Sequence, residues 1–186
     1  MTVALRPSTN LRWALREASA ELHAELDDRL GHVDDLAGYA RLVRLFSALH
    51  QAVDPLLARR RWPQPGVVVR PLAPAYARDL ELLGRTAPAP LEISGLARDA
   101  GGNLTSAAAL GVLYVIAGSA AGARVVLRSL PDDVPLEARN GLSRAAAPEA
   151  TATWRATQVL LDVPTQRAAV DSCLGTFRAL VRASCA

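Results

Sequence analysis

Three histidines and one glycine-bearing segment are the groups in this 186-residue chain whose chemistry and placement stand out. His23 lies one position past Leu22, at the edge of an apolar stripe, and Arg16 falls on the same helical face two turns earlier. An imidazole at such an edge has two uses. It can hydrogen bond at the margin of a core, or it can present a ring nitrogen into an apolar pocket, as axial ligation of a haem iron requires. In the second case an arginine on that face could meet a carboxylate of the ligand. His32 follows Gly31 and is expected in solvent. His50, beside Leu49, is expected to be a packing or surface residue.

The glycine-bearing segment is Gly118-Ser119-Ala120-Ala121-Gly122-Ala123. It interrupts a run from Ala107 to Leu130 that holds no proline and repeats apolar residues at Leu110, Leu113, Ile116, Val125, Val126 and Leu130. Two glycines four apart leave two points without side chains on one helical face. Each costs a helix about 1 kcal/mol relative to alanine, so a compensating contact is expected, with a flat body or a second helix lying on bare backbone.

Other chemistries find no support. The glycine segment is not a G-x-S-x-G elbow, and no strand precedes it. There is no HExxH, P-loop or strand-linked G-x-G-x-x-G. His23 and Glu25 lack the cysteine partners of a zinc deaminase. A helix-turn-helix remains open, with a break at Gly118 and Ala120 to Arg128 as recognition helix, although no dense basic stripe accompanies it.

The elements that must position these groups read as helices. A first helix is expected from Ser8 to Leu30, with Leu11, Leu15, Ala18, Leu22, Leu26 and Leu30 in its stripe and Gly31 ending it. Asp34 or Asp35 can start a second, with Pro55 bending or terminating it. Trp62 to Pro74 reads as a connection, and Val67-Val68-Val69 is too isolated to argue for a sheet. A third helix is expected from Ala75 to Leu83. Asn103 or Thr105 can cap the long helix, and further helices are expected from Leu136 to about Leu161, interrupted near Pro148, and from Thr165 to Ala183. The fold expected is all-α, a single-domain helical bundle over residues 1–186 with a flexible stretch at 1–7.

Composition bounds the function classes. With 51% hydrophobic residues the chain can build one substantial core, and a net charge of +3 calls for neither nucleic acid nor an anionic membrane. Cys173 and Cys185 would lie ~18 Å apart along one helix, beyond disulfide reach, which fits a reducing cytoplasm. No signal peptide is indicated, and the most apolar stretch, Ala107 to Ile116, reads as too short and alanine-rich for a membrane span.

Taken together the residues resemble the haem oxygenase family, in particular its bacterial, biliverdin-producing members. The likeness begins with Leu15-Arg16-Glu17-Ala18 through Leu22-His23, similar to a proximal helix with an axial histidine. It continues through Tyr39, Leu42 and Arg78-Asp79-Leu80-Glu81-Leu82-Leu83-Gly84. It is strongest at Gly111-Val112-Leu113-Tyr114-Val115-Ile116-Ala117-Gly118-Ser119-Ala120-Ala121-Gly122, similar to a distal helix, and Trp154 and Thr176-Phe177 match the last helices. The resemblance implies a bundle of the haem oxygenase type and cleavage of haem to biliverdin, carbon monoxide and ferrous iron. Haem would be both substrate and cofactor, with O2 and with electrons from an external ferredoxin or flavoprotein reductase. A phytochrome could receive the biliverdin.

It also implies roles: His23 as iron ligand, Gly118 and Gly122 as close-approach points, and Ser119 holding a proton-donating water. Arg16 and Tyr114 would anchor propionates and Phe177 would pack on the porphyrin. The chain departs from the family at Ser119, where some members carry a carboxylate, at Ala123, where some carry a second glycine, and at Ala20, basic in some relatives. The methyl of Ala123 is expected to tighten the distal pocket. The alternatives carried forward are a haem-binding or storage protein without turnover, and the DNA-binding regulator.

Overall fold

Capping side chains set most of the helix starts. The computed structural model describes residues 10–59, 62, 69–147 and 162–185. Asn10 accepts from the Arg12 N–H at 2.9 Å and opens α1 (Leu11–Leu30), which Gly31 ends at φ 59°. Asp35 accepts from the Gly38 N–H at 2.6 Å and opens α2 (Leu36–Ala58). α3 (Ala73–Leu82) starts with Pro74, whose missing N–H costs nothing in a first turn. Thr105 accepts from Ala108 at 3.2 Å and opens α4 (Ser106–Arg128). A 3-10 turn (Leu136–Arg139) leads into α5 (Asn140–Ala145). Asp162 accepts from Thr165 at 2.8 Å and opens α6 (Val163–Ala183). Each such cap is worth about 1 kcal/mol.

The described residues contain six α-helices and no strand, only an isolated bridge between Arg98 and Leu104, so the all-α expectation holds. Several boundaries differ from it. α1 begins at Leu11, and Ser8 lies outside the described residues, as do the stretch 1–7, Val67-Val68, Trp154 and the helix expected over 148–161. α2 runs a turn past Pro55 and does not stop there. The lost hydrogen bond is outweighed by the last turn's packing, since Leu57 is fully buried and Leu56 lies on the core.

The apolar stretch expected to be short is part of a 23-residue helix. By length and composition α4 could cross a membrane, but half of its most apolar window is buried inside the molecule, as in a core helix. It runs unbroken through Gly118 to Arg128, so the turn that a helix-turn-helix needs at Gly118 is absent.

Packing centres on α6. α1 and α4 both lie along it but meet each other only over a short stretch. α4 approaches α6 at Gly111, where any Cβ would run into the Ala169 carbonyl, and the 94–95 loop crosses α6 the same way at Gly175. One apolar cluster joins α1, α4, α6 and the second half of α2; another joins the first half of α2 with α3 and α5. The methyl of Ala123 is buried in that second cluster. It therefore fills core volume and does not tighten the face carrying Gly118 and Gly122, contrary to the expectation.

α5 has no cap of its own, and α3 supplies one. Asp79, fully buried, accepts from the N–H groups of Gly141 at 2.6 Å and Asn140 at 3.2 Å. Burial pushes its carboxyl above the ordinary 3.8, against the pull of those two N–H groups. A raised folded pKa means the native state holds the proton more tightly than the unfolded chain. The associated stability is complete below 3.8 and is lost as pH rises through the higher folded value. Asp79→Asn, which does not titrate, should therefore lose least relative to wild type at neutral pH and most near pH 4. Urea unfolding of both proteins at the two pH values checks this, and a constant difference would refute it.

Candidate functional site

The sequence candidates converge at one node and then diverge. Ser19 of α1 is buried against both Tyr114 of α4 and Cys173 of α6. Gly111, one turn earlier on α4, lies against Ala169 and Cys173, so α4 and α6 run in the same sense here. One turn beyond the node α6 presents Phe177 and α1 presents His23, with ring centroids 5.7 Å apart. One turn beyond Tyr114 on α4 comes Gly118, and a further turn brings Gly122. Among the described residues no neighbouring atom lies within 4 Å of where a Cβ would stand at either glycine. The bare backbone of α4 thus faces open space, at the level where α1 and α6 carry an imidazole and a phenyl ring.

His23 is braced from one side. Its Nδ1 lies 2.9 Å from Oδ2 of Asp27, one turn on. With the carboxylate as acceptor the ring proton sits on Nδ1, leaving the Nε2 lone pair for an electrophile. The side chain is 55% exposed and so lies at the surface, where an apolar pocket had been expected. Asp27 is a positioning residue that the sequence reading passed over. Its signal was available as a carboxylate four residues after a histidine on one helix.

The remaining candidates separate into those near the node and those away from it. Tyr114 is only 7% exposed, with its phenol at Ser19, and burial raises its pKa while Arg16 and Arg12 oppose the rise. Such a phenol sits at the apex where α1, α4 and α6 meet, whereas the expectation made it a carboxylate anchor. Arg16 is exposed, with its guanidinium 5.5 Å above the Trp13 ring, and lies on the same face of α1 as Ser19 and His23. Phe177 is buried beside His23. Cys173, at the base of the node, is pushed up to about 12 by burial and is an inert thiol.

Ser119 turns toward a different space. Its hydroxyl donates to the Ile116 carbonyl at 2.7 Å, and the residue borders a cleft shared with His50, Asp54, Leu113, Ala117 and Ala120. Leu113, Ala117 and Ala120 occupy the side of α4 turned away from Gly118 and Gly122. A bound water at Ser119 would belong first to that cleft.

Of the other histidines, His32 is exposed as expected, and His50 is a buried packing residue that also carries a hydrogen bond to Asp54. Among the described residues no group of three or more His, Cys, Asp or Glu converges to hold a bare metal ion. A metal bound through His23 alone would have to bring its other ligands with it, as a metalloporphyrin does. Both cysteines are unpaired by disulfide, and Cys185 is exposed next to Arg29. Comparison with family models, with curated proteins and with solved structures finds no match.

Proposed function

We propose that this chain is a haem oxygenase, cleaving haem to biliverdin, carbon monoxide and ferrous iron with O2 and electrons from an external ferredoxin or flavoprotein reductase. One observation carries the reading: His23, braced by Asp27, stands one turn beyond the node at which α1, α4 and α6 meet, at the level where α4 presents Gly118 and Gly122 with nothing over them among the described residues. A flat ligand in that gap would take Nε2 of His23 on one face and bare main chain on the other. The residue set fits such a ligand.

The chain's own part is binding and orientation. Nε2 of His23 would hold the iron, and Asp27 would keep the ring in the tautomer that leaves Nε2 unprotonated. Phe177 would pack against an apolar edge. Arg16, exposed on the same face as His23, would meet a propionate, whereas the burial of Tyr114 suits it to closing the apex. Gly118 and Gly122 would admit the ring plane close to α4 and limit which edge faces the reacting oxygen. Bound haem supplies the oxygen activation and is itself the molecule oxidised; the protein supplies position, dryness and protons. A cytoplasmic site and a phytochrome as recipient of the biliverdin belong to the same proposal.

Titration with hemin should give a Soret shift at one equivalent. Ascorbate or reduced ferredoxin in air, with catalase present, should then bleach the Soret band while absorbance grows in the red. A haem spectrum that survives repeated reduction under those conditions would leave a haem-binding protein without turnover. No Soret shift at all would remove the haem reading altogether.

A further inference from the structure

The cleft behind α4 contains a buried side-chain pair, His50 and Asp54, apart from the candidate site at His23. His50 on α2 is 1% exposed, and its Nδ1 lies 2.9 Å from Oδ1 of Asp54, one turn later. Oδ2 of Asp54 accepts from the backbone N–H groups of Leu72 at 2.7 Å and Ala73 at 2.9 Å. A carboxylate whose two oxygens already accept backbone and imidazole N–H groups is held in its acceptor role. The ring proton of His50 is therefore on Nδ1 and the lone pair on Nε2. That Nε2 is buried and has no hydrogen-bond partner among the described residues.

An unpartnered nitrogen in that position is costly, by about 1–3 kcal/mol, unless something outside the protein donates to it. The space for a donor exists. His50 and Asp54 border a cleft of about 60 Å³ whose walls are Leu72, Leu113, Ile116, Ala117, Ala120 and Ala145, with exposed Arg70 and Arg144 also on its lining. At roughly 10–15 Å³ per water this holds about four to six waters, too little for an aromatic guest. The ring itself cannot swing away, because Tyr76 stacks on it at 5.4 Å.

We propose that this cleft is a hydrated proton-relay site, in which a water entering past Arg70 and Arg144 donates to Nε2 of His50. Asp54 fixes the ring tautomer, and Ser119 joins the same water-filled space to the glycine-bearing segment of α4. The site stands without the haem reading. Its use as a proton supply for ring cleavage rests on that reading, and the two are separable by experiment.

The test uses the full chain labelled with 15N-histidine. His50 should show the Nδ1–H tautomer, an Nε2 shift of a hydrogen-bonded acceptor, and magnetisation transfer from water. A proton on Nε2, or a ring with no water contact, would overturn the proposal. His50→Phe keeps a ring against Tyr76 and should retain the helical circular dichroism; should it misfold, His50→Gln is the second variant. If the wild type cleaves haem, either variant should bind hemin within about twofold of wild type yet turn over about tenfold or more slowly. Unchanged turnover would refute the relay's catalytic use. A wild type that binds hemin without cleaving it would defeat the enzyme reading, and the histidine spectrum alone would then decide the water site.

Discussion

His23→Ala should abolish the Soret shift on addition of hemin, and imidazole added at millimolar concentration should restore it. The size of the effect follows from the ligand's place in the site. Removing an outer-shell partner of a metal-ligating histidine typically costs 10–100-fold in affinity, so loss of the ligand itself should exceed about 100-fold. Asp27→Asn belongs to the milder class, weakening hemin binding by about tenfold while leaving the Soret maximum in place. Rescue by imidazole distinguishes a vacated coordination position from a collapsed helix. Circular dichroism of His23→Ala should match wild type, because the side chain is half exposed and α1 is held by Leu11, Leu15 and Leu26. A variant that binds hemin as tightly as wild type would place the iron elsewhere.

The second large effect contrasts two glycines on one helix. In Gly111→Ala the new methyl meets the Ala169 carbonyl and comes within 3.0 Å of the Cys173 nitrogen, and both obstacles are main chain. Helix α6 would have to move off α4, at a cost of about 3 kcal/mol or more. For a chain of this size that lowers Tm by about 6–12 °C. Gly118→Ala meets nothing within 4 Å, so the apoprotein gains helix propensity, about 1 kcal/mol or a 2–4 °C rise. The same methyl would stand where the porphyrin plane is proposed to lie, and hemin affinity should fall about tenfold. A glycine kept at a stability cost is expected where a ligand occupies the space above it. Calorimetry and hemin titration of the two variants are the checks. Gly118→Ala that destabilises the apoprotein, or leaves hemin binding untouched, would remove the case for a ligand on that face.

Helix positions were largely legible because capping is local. Asp35, Thr105 and Gly31 act within their own turn, and the structure uses each as the residue types imply. That α2 continues past Pro55 was not legible for the opposite reason: the burial of Leu57 depends on residues far away in the chain, and that burial outweighs one missing hydrogen bond. The same applies to α4. Its apolar periodicity implies one long helix and the structure forms one, but that two glycines do not break it depends on packing of the first half on α6 and of Ala123 in the second cluster. At the candidate site, the pairings His23–Asp27 and His50–Asp54 follow the i,i+4 rule and are readable in advance.

What the sequence alone determined was the supply of parts: an all-helical chain, an imidazole and an arginine on one face of its first helix, and a pair of glycines on one face of α4. Periodicity and capping depend only on neighbours within a turn or two, so no tertiary information was needed. Only the fold decided that Ser19, Tyr114 and Cys173 meet, that His23 and Phe177 lie one turn past that meeting, and that nothing covers Gly118 and Gly122. Those relations join positions some 50 to 150 residues apart. They are set by how α1 and α4 seat on α6, where Gly111 permits a contact that any larger residue would block.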